Sequence, residues 1–177
     1  MDKLNFRMLL TYEKKACDIS KDFLIPRTIS KQTGVTQLNK IPKNHVVIMG
    51  KSTFDELKKP LENRINIIFT SNPDRYALKK LVNTCNFYAV KNFEQLEQVM
   101  NKINSTDATI IGGIKIFNLF LPYISKIHGK CLFKNQVTNI DNQFGSIVKA
   151  NFQISDVSDF KYDKEQYSLY KDVLFSK

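Results

Sequence analysis

The chain has 177 residues, of which 42% are hydrophobic and 25% charged, an ordinary globular composition that excludes wholesale disorder. Cys17, Cys85 and Cys131 are odd in number and widely spaced, so neither a disulfide framework nor a zinc site is expected. A net charge of +10 favours polyanionic partners or phosphorylated ligands, although the lysines form no dense basic block.

Taken in chain order, residues 4–12 (LNFRMLLTY) read as a first, central strand. Residues 13–26 form a polar loop closing on Pro26. Residues 27–38 carry a weak helical pattern, broken by Thr28, Thr33, Gly34 and Thr36. After a connection through Pro42, a strand is predicted at 45–49, a helix at about 53–58 and a strand at 64–70. Ser71-Asn72-Pro73-Asp74 is a turn, followed by a short helix to about Val82 and a strand at Phe87–Val90. Asn92 caps a helix whose apolar stripe is Phe93, Leu96, Val99 and Ile103. A buried strand, Ala108–Ile111, ends in Gly112-Gly113 and leads into the helix IKIFNLFLPYI. A strand at 126–134 follows, and from about residue 150 the pattern alternates as strands only.

This order predicts an α/β fold: one domain over residues 1–177, a mostly parallel central sheet flanked by helices, and an antiparallel C-terminal strand. Ligands of such sheets sit at the carboxyl ends of the strands. Three small or hydroxyl-rich loops would gather there: Gly50-Lys51-Ser52-Thr53, Thr70-Ser71-Asn72 and Gly112-Gly113. A strand that ends in Gly and opens a helix through Lys-Ser-Thr offers free N–H groups to phosphate. Lys51 adds charge, and Ser52 and Thr53 are read as helix caps or phosphate ligands. The alternative for this unit is an ordinary capped turn. No apolar run approaches the ~20 residues of a membrane span, and the N-terminus lacks a signal peptide, so a cytoplasmic protein is expected. His45 and His128 have no metal-type partner spacing, and no metal site is expected.

The segments VVIMGKSTFDELKKPLENRINIIFTSNP (46–73), FYAVKNFEQL and IIGGIKIFNLFLP resemble the dihydrofolate reductase family, in the family's order and with similar spacing. The resemblance implies NADPH as cofactor and reduction of dihydrofolate to tetrahydrofolate by hydride transfer to the pterin ring. It assigns Gly50, Lys51, Ser52 and Thr53 to the cofactor phosphates. Thr70, Ser71, Asn72 and Lys91 fall to its adenosine 2′-phosphate end. Gly112 and Gly113, joined in the family by a cis peptide, with Lys115 and Ile116, fall to the pyrophosphate and nicotinamide. Arg64, in Pro60-Leu61-Glu62-Asn63-Arg64, matches the arginine that grips the glutamate carboxylate of folate, with Lys59 assisting. Leu57, Ile111 and Phe117 complete the substrate-binding set. The alternative for Arg64 is a surface ion pair with Glu62 or Asp55.

The family's substrate-site carboxylate falls at Gln32 in this register, and Asp22 is the nearest acid in sequence. Gln32 can accept a hydrogen bond but brings no charge to favour a cationic transition state. The alternative function is therefore a catalytically impaired reductase fold kept as a binding or assembly module. A related reductase of the riboflavin pathway is a third reading, against which Arg64 argues. A monomer is expected; the net charge leaves a nucleic-acid or protein partner open, without a motif for one.

Overall fold

A computed structural model describes residues 4–14, 26–27, 38–77, 86–133, 147–148, 150–164 and 168–177. Ten strands form one sheet: β1 (Asn5–Lys14), β2 (Pro26–Arg27), β3 (Val46–Gly50), β4 (Ile65–Phe69), β5 (Phe87–Val90), β6 (Asp107–Gly112), β7 (Ile124–Phe133), β8 (Gln153–Val157), β9 (Lys161–Asp163) and β10 (Ser168–Ser176). The path across it is β5-β4-β3-β6-β1-β7-β10-β8, with β2 on β1 and β9 on β10. The first six strands of that path run parallel, while β10 is antiparallel to β7 and β8. The predicted α/β architecture with its antiparallel C-terminal strand is therefore what the chain adopts. The helices that accompany the sheet include α1 (Lys51–Leu57), α2 (Asp74–Ala77), α3 (Phe93–Lys102) and α4 (Ile114–Phe120), the last running into a 3-10 turn at Leu121–Tyr123, and residues 147–148 and 150–151 are helical as well.

Alternation along the strands divides the core in two. Phe6, Met8 and Leu10 of β1 join Ile48, Ile67, Ile110, Phe117 and Phe120 in one buried cluster. Leu9 points the other way, into a second cluster with Val47, Met49, Phe54, Ile68, Tyr76, Phe87 and Ile111. Each such side chain is worth roughly 1.5–3 kcal/mol of burial, which fixes strand register, because a one-residue slip would turn both sets outward. In α3 the Asn92 side chain accepts the Gln95 N–H at 2.9 Å, as the sequence predicts, and Leu96 and Met100 are buried.

Most strands depart by one or two residues from their predicted ends, and one was not predicted. β1 runs to Lys14 because β7 pairs with it through Phe133, and β2 adds Pro26–Arg27 against Thr11 and Tyr12. The predicted loop end at Pro26 is thus a short strand. α1 starts at Lys51 rather than at about residue 53, since Gly50 already has the extended backbone of an N-cap.

The functional edge arises from one break in pairing. β1 pairs with β6 only as far as Met8 and Ile110. Beyond that point β6 carries a register shift against β3, and β1 pairs with β2 instead. The two central strands part at their carboxyl ends, at the position where the strand order reverses, which is where open α/β sheets receive ligands.

Candidate functional site

At this edge the ends of β6, β3, β4 and β5 stand side by side, with Met49 beside Gly112, Gly50 beside Phe69, and Phe69 beside Val90. With strands ~4.8 Å apart, the four ends make a ledge roughly 14 Å long. A Cβ built on Gly50 would lie 2.8 Å from Ile116 Cγ1 and 3.7 Å from the Gly112 carbonyl oxygen, so the two glycine turns are in contact. Gly112 has φ +118°, a conformation that only glycine adopts without strain, and its Cβ would meet Phe117 Cζ at 3.3 Å and Thr53 Oγ1 at 3.6 Å. The Gly112–Gly113 peptide is cis, as the family resemblance implies.

Two helices begin on this ledge, α1 after Gly50 and α4 after Gly113, and neither has a side-chain cap. The reading of Ser52 and Thr53 as caps is corrected by the structure. Both lie inside α1, Ser52 exposed and Thr53 fully buried. A helical residue's own turn occupies the position a cap would need. The Thr53 hydroxyl has no hydrogen-bond partner among the described residues. First-turn N–H groups without a capping side chain and a buried, unsatisfied hydroxyl are the features expected of a phosphate cradle.

The far half of the ledge is built by local hydrogen bonds. The Thr70 N–H donates to the Val90 carbonyl at 2.8 Å, which brings Thr70 beside Lys91. The Thr70 hydroxyl accepts from the Asn72 N–H at 3.3 Å, and Asn72 Oδ1 accepts from the Arg75 N–H at 3.3 Å. Ser71, Asn72, Lys91 and Lys115 are exposed, and Ile116 is buried against Gly50. Lys51 makes an exposed ion pair with Asp55 at 3.2 Å, a contact of little energetic worth that leaves its ammonium available.

A second feature lies beside α1: a groove of about 210 Å³ lined by Leu38, Leu57, Lys59, Pro60, Leu61 and Arg64, among others. The alternative for Arg64, a surface ion pair with Glu62 or Asp55, is not formed. Glu62 instead pairs with Lys59 at 2.7 Å, and Asp55 pairs with Lys51. Arg64 is held by backbone carbonyls, donating from Nη2 to Ile41 at 2.7 Å and from Nη1 to Glu62 at 2.9 Å. Its charge thus faces the groove without a carboxylate partner among the described residues.

The residue that aims Arg64 escaped the sequence reading. Asn66, buried in β4, accepts the Leu61 N–H at 2.8 Å and donates to the carbonyls of Leu61 at 2.9 Å and Arg64 at 3.0 Å. It clamps the turn that carries the guanidinium. A lone amide inside the apolar run INIIF was the available signal, because a buried amide persists only where its bonds are satisfied.

The structure brings Gly50, Thr53, Gly112, Gly113, Ile116 and Phe117 to one junction, and Leu57, Lys59 and Arg64 to one groove. Ile111 and Phe117, expected together, belong to the two cores on opposite faces of the sheet. Gln32 and Asp22 lie outside the described residues. Among the described residues no His, Cys, Asp and Glu cluster is arranged to hold a metal ion, and no helix is long and apolar enough to cross a membrane.

A sequence model of the family described as dihydrofolate reductase matches residues 12–176. A dihydrofolate reductase of Ureaplasma parvum is 38% identical over 106 residues, covering 59% of this chain and 61% of that protein. One from Bacillus subtilis is 29% identical over 90 residues, covering 50% and 48%. The matches thus span about half to three fifths of these relatives. Among solved structures, a dihydrofolate reductase from Enterococcus faecalis, complexed with NADP(H) and RAB-propyl, superposes with TM-score 0.66 at 13% identity, covering 97% of this chain and 95% of that one.

Proposed function

Because this chain belongs to the dihydrofolate reductase family, we propose that it reduces dihydrofolate to tetrahydrofolate with NADPH, as one domain acting as a monomer. The observation that carries the reading is the contact between the Gly50 and Gly112 turns at the parting of β1 and β6. NADPH, when bound, supplies the hydride; the protein supplies placement.

The residues of the ledge fit such a cofactor. The first-turn N–H groups of α1 and α4, with Lys51, Ser52, Lys115 and the Thr53 hydroxyl, offer donors to phosphate oxygens. Gly50, Gly112 and Gly113 let a ligand approach the backbone closely, and Ile116 packs beneath it. Thr70, Ser71, Asn72 and Lys91 face the 2′-phosphate end. In the neighbouring groove Arg64 takes the glutamate carboxylate of the substrate, Lys59 adds positive potential, and Leu57 contributes apolar wall. Ile111 and Phe117 act from beneath the reacting rings, one on each face. Gln32 is assigned a hydrogen bond to the pterin ring and Asp22, the nearest acid in sequence, the handling of the proton.

Two separate titrations test this, one with NADPH and one with dihydrofolate, followed by dihydrofolate-dependent NADPH oxidation. Binding of both with turnover is the expected result. Absence of NADPH binding, or absence of oxidation at high enzyme concentration despite both ligands binding, would overturn the reductase assignment.

A further inference from the structure

A second pocket, of about 280 Å³, opens on the sheet face that carries Leu9. Its principal walls are Arg7 and Leu9 of β1, Ile41, His128 of β7, Leu174 of β10 and Asp156 of β8. It lies apart from the ledge: Thr109, also on its wall, precedes Gly112 by three residues, about 10 Å along β6. It is also separate from the Arg64 groove. The strip Leu38–Pro42 divides them, with Leu38 and Asn39 lining the groove and Lys40, Ile41 and Pro42 lining the pocket.

The charges around this pocket are not all spent on one another. Lys40 and Asp172 form an ion pair at 2.6 Å, and Asp172 takes Lys161 as well at 2.8 Å, so this one carboxylate is shared by two ammonium groups and the wall keeps a net positive charge. Arg7 is different. Its one ion pair among the described residues, with Asp107, is at 4.0 Å, the outer limit of such a contact. His128 makes no hydrogen bond within the described residues and sits diagonally from Arg7 on the adjacent strand, opposite Leu9 and Leu174 in register. A guanidinium and an imidazole thus converge at one end of a pocket whose apolar wall is made by Leu9, Ile41 and Leu174 and whose polar wall includes Thr109 and Ser158. Asp156, two strands from β7 across β10, has no ion pair among the described residues and closes the far end with a negative charge.

We propose that this pocket binds a small amphipathic anion: a phosphate or carboxylate head on Arg7 and His128, with an apolar body over Leu9, Ile41 and Leu174. Concave sites of this size with an apolar lining and a few convergent polar groups are the usual form of small-molecule sites. A guanidinium with free donors is the group best suited to a phosphate or carboxylate head. Asp156 selects against a second negative charge at the other end. The inference does not depend on the reductase reading.

Phenyl phosphate is the probe, titrated into the full chain with and without saturating NADPH and followed by the ring signals of His128. The chain has only two histidines, so H128Q assigns them. Phenyl phosphate is expected to shift the His128 signals, to bind more tightly than inorganic phosphate or benzyl alcohol, and to keep its affinity when NADPH is bound. R7Q should weaken it about tenfold or more, the loss expected for a charge-assisted hydrogen bond. Arg7 is part-exposed, so R7Q is expected to fold; H128Q, which should also weaken binding, gives an independent reading. Unmoved His128 signals would overturn the proposal. So would wild-type affinity in both R7Q and H128Q, each measured by calorimetry, inorganic phosphate binding as well as phenyl phosphate, or displacement by NADPH.

Discussion

Replacing Thr53 with Val should raise the stability of the ligand-free protein while weakening cofactor binding. Thr53 is fully buried, and its hydroxyl has no hydrogen-bond partner among the described residues. A buried hydroxyl left unsatisfied costs ~1–3 kcal/mol, and valine replaces it with a methyl group of similar size. Thr and Val have similar helix propensity, so α1 itself is little affected. The lower end of that range, ~1 kcal/mol, corresponds to a rise of roughly 2–4 °C in Tm for a chain of this size. Binding should move the opposite way. A hydroxyl donating to a phosphate oxygen is worth ~1.5–3 kcal/mol, hence a loss of roughly 10- to 150-fold in NADPH affinity. Thermal unfolding of the ligand-free variant and fluorescence titration with NADPH give both signs, and T53S, which keeps the hydroxyl, should retain affinity. A lower Tm with unchanged NADPH affinity would show that the hydroxyl serves the fold, and the phosphate-cradle reasoning would fail.

Three further outcomes are expected. R64K should raise the KM for dihydrofolate at least ~10-fold with little change in kcat, because an ammonium cannot reproduce the two-pronged grip of a guanidinium; steady-state kinetics at varied dihydrofolate check it, and an unchanged KM refutes it. Lys130 and Asp163 form an ion pair with both side chains buried, the ammonium lying 4.3 Å from the Tyr170 ring centre. D163N should therefore cost ~3–5 kcal/mol in urea unfolding, since it removes a carboxylate from a buried ammonium, and a loss below ~1 kcal/mol would mean the pair contributes little to the fold. Burial first, then the Arg7 charge, hold His45 below its ordinary value of 6.5, with Asp107 opposing. The unfolded chain then takes up the proton first, so this part of the stability is complete above pH 6.5 and is lost as pH falls toward the lower folded value. H45Q should flatten the fall in Tm between neutral and mildly acidic pH, and an unchanged slope would exclude His45 as its source.

The parallel half of the fold was legible because its signals are local. Apolar runs such as VVIM and INIIF, the Asn92 cap and the glycines after strands each declare themselves within a few residues. What was not legible depends on residues distant in sequence. Lys130 reads as an ordinary strand lysine until Asp163 returns to meet it, 33 residues later. β1 runs past Tyr12 only because β7 pairs with Glu13 and Lys14. The partners of Arg64 were not legible for a related reason. Nearby acids are visible in a sequence, whereas the Ile41 carbonyl, 23 residues earlier, is not. Thr53 shows the limit at the site itself: its type suggested a cap, but only the start of α1 at Lys51 puts it inside the helix, facing Gly112.

The clasp on Arg64 has a consequence for acidity. A guanidinium held by side-chain carboxylates would swing loose in acid as those groups took up protons. Here the guanidinium is clasped by peptide oxygens and the turn that carries it is held by a neutral amide, Asn66, none of which titrates. The aim of that arginine is thus indifferent to acidification across the range in which aspartates and glutamates discharge. Any fading of its grip on an anionic guest in that range would originate in the guest.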